Sequence, residues 1–377
     1  MLILGLLVFL SVTLLMPILI FFLKRKGIMD DPHDTLRTHA ATQDVPIEIK
    51  ATTPRGGGIV MMPVIFLAWF MVSYYAFRWP NLETSLAVVF CGSGLCLATW
   101  LDDLREGGLT QKTRLLLQLV AVAVPLIMWP LDQGRLLPEL LNPVVERVIM
   151  ALAWLWFCNL YNFMDGINGI SGTQAISIAG GLLVYCFIGP TNVPVGYPLL
   201  LVIIVAAAAG FLVWNCRPVA KIFLGDVGSI GLGYCLGFLL FVFAGEGHIV
   251  PAVLVALVYC MDATTTLLKL IWQRKKIWIS RREHYYHRAT IKGALTHLQG
   301  VGVIVLVNII LICLGLLLLR GFMPPIVGLL IGMALVAAML VCFYYLGHYA
   351  GHTSTERGNM APWQLRINHF MGRFFPK

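Results

Sequence analysis

Eleven largely apolar runs of sixteen or more residues divide this chain, and no other feature constrains its fold as strongly. They lie at about 2–23, 58–77, 84–101, 115–131, 143–160, 174–189, 197–214, 228–244, 248–271, 300–319 and 325–347. A bilayer core about 30 Å thick is crossed by roughly 20 helical residues. The runs therefore predict an all-α, polytopic integral membrane protein with eleven transmembrane helices. The number is ten if the fifth, crowded at its start by charge and Pro143, does not span. With 59% hydrophobic and 12% charged residues, a two-domain soluble protein is excluded. The first run is long enough to span and lacks a basic start and a small-residue cleavage site, so it reads as a retained helix. Eight of the nine cysteines sit in or beside apolar runs and no C-x-x-C pair occurs, which points to packing rather than metal or disulfide chemistry.

Charge orients the runs. Only Arg78, Arg135, Arg147 and Arg320 of the 27 lysines and arginines fall in one alternate set of loops. The other set is basic and so is expected on the cytoplasmic side, leaving the N-terminus periplasmic and the C-terminus cytoplasmic. The net charge of +9 then belongs to the inner face, suited to membrane lipids and phosphorylated substrates. No soluble nucleic-acid-binding module is present.

Polar residues of unusual type gather in the loops of that same face. Asn159–Gly172, NLYNFMDGINGISG, sets Asn162, Asp165 and Asn168 three residues apart between two spans. On a helical turn they would share a face, and on a loop they could converge on a ligand. Taken alone, the stretch reads equally well as an Asn/Gly turn. The first loop ends in Lys50-Ala-Thr-Thr-Pro54-Arg55-Gly56-Gly57-Gly58, where consecutive glycines either let backbone N–H groups approach an anion or form a hinge. Asp102 and Asp103 close the third span, followed by Lys112 and Arg114. Adjacent carboxylates there call for a divalent cation or a basic partner, and with a cation one can hold Mg²⁺ while the other acts as a base; a solvated, capped loop is the plainer reading.

Two further loops carry the same kind of chemistry. Phe223-Leu-Gly-Asp226-Val-Gly228-Ser229 sets an acid among glycines with an aromatic three residues earlier, suited to a metal-bound diphosphate beside a stacked base. Arg281-Arg282-Glu283-His284-Tyr285-Tyr286-His287-Arg288 offers a phosphate clamp. Asp262 lies inside the ninth run, where an acid is a pairing or functional residue, and Lys269 two turns on is a candidate partner.

In that order these blocks resemble a family: the polyprenyl-phosphate N-acetylhexosamine-1-phosphate transferases, glycosyltransferase family 4. The resemblance rests on PRGGG (Pro54–Gly58), the acidic pair Asp102–Asp103, N-x-x-D-G-I-N-G (Asn162–Gly169), F-L-G-D-x-G-S (Phe223–Ser229) and the histidine-containing basic loop, and covers about residues 30 to 290. It implies one transmembrane transferase domain in a bacterial inner membrane. Its active site would be built from loops 24–57, 102–114, 159–173, 215–229 and 272–297. It would move a sugar 1-phosphate from a UDP-N-acetylhexosamine to undecaprenyl phosphate with Mg²⁺, or Mn²⁺ in its place, and it admits a homodimer.

Carried over residue by residue, the resemblance makes Asp102, Asp103 and Asp226 catalytic, with Asp226 and Asp103 toward the metal. Asn162, Asp165 and Phe223 fall at uridine-pocket positions. Lys50, Arg55, Lys112, Asn168, Arg281, Arg282, His284, His287 and Arg288 complete the substrate-binding set. The chain departs from the family at Asn168, where an acid is frequent, and at His284-Tyr285-Tyr286-His287, where three histidines are frequent. Those departures favour the branch that starts O-antigen, enterobacterial common antigen or teichoic acid synthesis over the phospho-MurNAc-pentapeptide translocase branch. A lipid-linked-sugar transporter is the rival from another class, but it would place its polar groups near the midplane.

Overall fold

The computed structural model describes residues 1–28, 53–76, 82–105, 108–191, 193, 196–274, 283–291 and 294–352. Lys50, Arg281 and Arg282 lie outside the described residues, as does the tail from 353 onward. Each apolar run contains or coincides with a helix: α1 Leu2–Arg25, α2 Gly58–Met71, α3 Leu82–Asp103, α4 Gln111–Met128, α5 Pro143–Phe163 and α6 Ile170–Ile188. They continue with α7 Tyr197–Asn215, α8 Gly225–Phe243, α9 Ile249–Trp272, the short α10 Tyr285–Ile291, α11 His297–Leu319 and α12 Pro325–His352.

Among the described residues nine helices are long and apolar enough to cross a membrane. One of the nine is 48 residues long, Gly225–Trp272, and breaks at Glu246 and Gly247, where Gly247 has φ 87°. It therefore supplies two helices, α8 and α9. Gly58–Tyr74 is apolar but shorter, and with it the expected eleven are accounted for. The fifth helix is capped by Asn142, whose side chain accepts from the Val144 N–H at 2.9 Å, with Pro143 in its first turn. Pro143 thus starts the helix rather than interrupting it.

Helix α8 is the axle of the bundle. Nearly every residue from Gly225 to Phe243 is buried, and α2, α3, α5 and α6 pack around it. Lipid tails are as apolar as leucine, so close backbone approach and polar contacts have to hold such helices together. Both are present. The indole of Trp154 on α5 stacks on Tyr234 at 4.9 Å and donates to the Tyr234 carbonyl at 2.8 Å. On α2, a Cβ added to Gly58 would fall inside the backbone of Gly228, so the two helices meet where neither carries a side chain. Helix α1 packs on α7, and α9 on α11 and α12.

Candidate active site

One end of this bundle collects every described motif block. Pro54 to Gly58 and Phe223 to Leu224 pair through their backbones: Phe223 N–H donates to the Pro54 carbonyl at 2.9 Å, and Gly56 and Gly57 donate back to the Phe223 carbonyl at 3.0 and 2.8 Å. Gly58 N–H donates to the Leu224 carbonyl at 2.9 Å. These glycine N–H groups are therefore spent inside the protein, and the expectation that they cradle an anion is corrected. Their use is to seat α2 on α8 and to place Arg55 beside Asp226. The two side chains form an ion pair, with Asp226 buried in the first turn of α8, where the helix dipole favours an acid.

Asp102 is likewise buried at the end of α3. It sits 2.7 Å from Arg114 Nε and accepts from the Leu109 backbone N–H. Asp103 is exposed and within electrostatic range of Asp226 and Asp102, and of Arg55 and Arg114. Three carboxylates and two guanidiniums thus share one small region.

That region opens on a polar cavity of about 190 Å³ lined by Asp102, Arg114, Asn162 and Asp226, with Gln118 and Asn159 among the residues behind them. Asn159 donates to Gln118 at 2.6 Å, fastening α5 to α4 beneath the charged groups. Asn159 had no role assigned from the sequence; a Gln and an Asn on facing spans was the available signal. Leu95, Ala98, Thr99 and Asp102, at helical spacing on α3, face this cavity. Phe90, Ser93, Leu97 and Trp100 on the same helix line an apolar groove of about 630 Å³ against α2. By helical periodicity Asp103 projects between the two faces.

The Asp165 loop is held from three sides. Tyr161 donates to the Ser171 carbonyl at 2.6 Å, and Ser171 donates to the Asp165 carboxylate at 2.7 Å. Asn162 accepts from Ser229 at 2.8 Å, tying the loop to the start of α8. Asn215, another residue missed in the sequence, accepts from Gly169 N–H at 2.7 Å and donates to the Ile222 carbonyl at 2.9 Å. Asn168 is buried and its amide donates to the carbonyls of Arg217 and Pro218 at 3.0 and 3.3 Å. Through its amide nitrogen it is a clasp between two loops.

The histidine segment also differs from expectation. His284 is buried against Asp262, Nδ1 to Oδ1 at 3.2 Å, so Asp262 is a pairing residue and the imidazole Nδ1 faces its carboxylate. The partner of Asp262 is His284 and not Lys269, whose ammonium lies over the Tyr344 ring. Arg288 pairs with Glu283 at 2.5 Å and also lies over Tyr344, directed toward α12. Tyr286 donates to the Met164 carbonyl at 2.9 Å. Burial first, then Tyr259 and Asp262, pushes its phenol well above the usual value and keeps the proton on. His287 is buried beside Gly166, where a Cβ would strike the imidazole. Lys112 is exposed in the first turn of α4, and the Phe223 ring is half-buried.

No three Asp, Glu, His or Cys side chains close around one point among the described residues. A resident cation would therefore draw one or two protein carboxylates, as Mg²⁺ commonly does when phosphate oxygens and water complete its shell. Asp103 and Asp226 fit that demand in donor chemistry.

Fold and site together define a class: a polytopic α-helical membrane protein whose acidic, arginine-paired site lies at one end of the bundle. Residues 85–244, the stretch that carries Asp102, Asp103, Asn162, Asp165, Phe223 and Asp226, match the family model described as Glycosyl transferase family 4. The chain is similar to a phospho-N-acetylmuramoyl-pentapeptide-transferase of Streptococcus mutans, 28% identical over 310 residues, covering 77% of this chain and 87% of the relative. A relative of the same name from Streptococcus suis is 29% identical over 279 residues, covering 71% and 79%. These relatives bear the name of the branch that the Asn168 and histidine-segment departures had placed second.

Proposed function

We propose that this chain transfers an N-acetylhexosamine 1-phosphate from a UDP-sugar to undecaprenyl phosphate, releasing UMP. The observation that supports this best is the meeting of Asp102, Asp103, Asp226, Arg55 and Arg114 beside a polar cavity that Asp102, Arg114 and Asp226 line, with an apolar groove on the other face of α3. A reaction between a water-soluble diphosphate and a lipid phosphate needs both surfaces within one helix diameter.

Two anions must be brought together, so charge neutralisation and alignment dominate the barrier. A phosphate monoester has its second pKa near about 6, so the lipid phosphate needs little help from a base at neutral pH. Its oxygen attacks the β-phosphorus of the UDP-sugar, and the bond from that phosphorus to the bridging oxygen breaks as UMP departs. Arg55 and Arg114 offset the phosphate charge while Asp102 holds Arg114 in place. Asp103 and Asp226 would hold Mg²⁺, which when bound neutralises the diphosphate. Asn162, Asp165 and Phe223 are assigned to the uridine. His287, beside the Asp165 loop, is assigned to phosphate, as are Lys50, Arg281, Arg282 and Lys112.

The donor we favour is a UDP-monosaccharide of the GlcNAc, FucNAc or QuiNAc type, because the chain departs from the pentapeptide branch at Asn168 and at His284-Tyr285-Tyr286-His287. The names of the relatives favour UDP-MurNAc-pentapeptide as the second reading. Transport is disfavoured because the charged groups cluster at one end, Asp262 included through its contact with His284. A donor panel with undecaprenyl phosphate, Mg²⁺ and mass detection of the lipid product tests the proposal. A lipid-diphosphate-N-acetylhexosamine is expected, and product from the pentapeptide donor alone selects the second reading. No UMP from any donor defeats both.

A further inference from the structure

We infer that Asp262 is a positioning residue: acting through His284 and Tyr286, it holds helix α10 in register on the loop that carries Asp165. The inference rests on the proposed transfer only in that this register matters for turnover.

An acid within a membrane span is costly and is retained where it is paired. Asp262 is buried in the half of α9 nearest the site, and its Oδ1 takes three contacts. Thr266 donates at 3.2 Å, the Tyr285 backbone N–H at 3.3 Å, and His284 Nδ1 lies at 3.2 Å. A carboxylate facing Nδ1 keeps the proton on that nitrogen and fixes the ring's orientation. The His284 ring lies on Tyr286 at 5.8 Å with 23° between the planes. Tyr286 in turn donates to the Met164 carbonyl, next to Asp165, and meets the His287 ring at 4.6 Å. Gly166 leaves the space that His287 and Tyr286 occupy.

Helix α10 is only seven residues long, far below the length at which a helix is stable alone. Its position must come from tertiary contacts. Arg288 ties it to Glu283 and to Tyr344 on α12, away from the loop. The path from Asp262 through His284 and Tyr286 ties it to the loop itself, and His287 is carried with it.

Purified full-length protein with Asp262→Asn, His284→Asn, the double substitution, Asp262→Glu and Tyr286→Phe tests this. Each of the first two should lower kcat about 30-fold with donor KM within about twofold, because alignment and not ground-state binding is lost. The double variant should be no worse than the poorer single, and Asp262→Glu should recover about a third of wild-type kcat. Backbone hydrogen exchange of 285–291 should quicken in Asp262→Asn and Tyr286→Phe while α2 and α8 stay protected. Additive losses, a rise in KM at unchanged kcat, or unaltered exchange of 285–291 would overturn the inference. If the wild-type protein turns over no UDP-N-acetylhexosamine, the transferase reading has failed instead, and the exchange measurement alone decides the role of Asp262.

Discussion

Both ends of the bundle bury a carboxylate against an arginine, but only one end leaves the arrangement open. Far from the motifs, Glu146 accepts from Arg135 Nε at 2.6 Å and from the backbone N–H groups of Leu136 and Leu137. Arg135 Nη2 also donates to the carbonyls of Leu141 and Pro138. That knot is closed, with the arginine side chain 18% exposed. At the motif end Arg55 and Arg114 are each 34% exposed, and Asp103 lies within electrostatic range of both of their carboxylates. A closed acid–base knot serves architecture. An open one, next to a cavity and short of neutralising charge, can take a ligand.

The comparison breaks most decisively at Asp226. Asp226→Asn should lower kcat/KM by about a thousandfold or more, the scale of losing a principal electrostatic group in a phosphoryl-transfer site. Glu146→Gln should leave kcat/KM within about twofold while costing about 3 kcal/mol of stability in thermal inactivation, since one partner of a buried pair is removed. Equal activity losses from both would erase the distinction between the two ends.

Next comes Asp103→Asn, for which we expect about a hundredfold loss of kcat together with a higher Mg²⁺ requirement in a metal titration. An unchanged Mg²⁺ dependence would separate Asp103 from the metal. Asn168→Asp is expected to reduce thermal stability by about 1–3 kcal/mol, because a carboxylate would face the Arg217 and Pro218 carbonyls that the amide now serves. A gain in activity from that substitution would show that the position wants an acid after all. Lys112→Ala should have the smallest effect, less than about threefold on donor KM in initial-rate assays, because an exposed charge is screened.

The spans were legible because hydropathy is local: each run needs only its own residues to declare a helix, and Pro143 at a helix start is a local signal too. The break at Glu246 and Gly247 was legible as the gap between two runs. What the acids and glycines do was less so. Gly56, Gly57 and Gly58 look alike whether they cradle an anion or seat one helix on another, and only the Leu224 and Phe223 carbonyls decide between the two. Asp262 and His284 are 22 residues apart, and an i to i+7 partner was the nearer candidate in sequence. Asn159 and Asn215 read as ordinary polar residues because their partners come from elsewhere in the chain, Gln118 on α4 for one and Gly169 and Ile222 for the other. The spacing of motifs marks where a site is; pairing across elements settles which member is structural.

The most direct test of the open-end account is lipid-dependent UMP release. Wild type, Asp226→Asn and Glu146→Gln would be compared with UDP-N-acetylhexosamine, undecaprenyl phosphate and Mg²⁺, each normalised to folded protein. The account predicts release from wild type and Glu146→Gln at similar rates, together with a lipid-diphosphate-sugar of matching mass, and none above background from Asp226→Asn. Release that persists in Asp226→Asn, or is lost equally in Glu146→Gln, would contradict it.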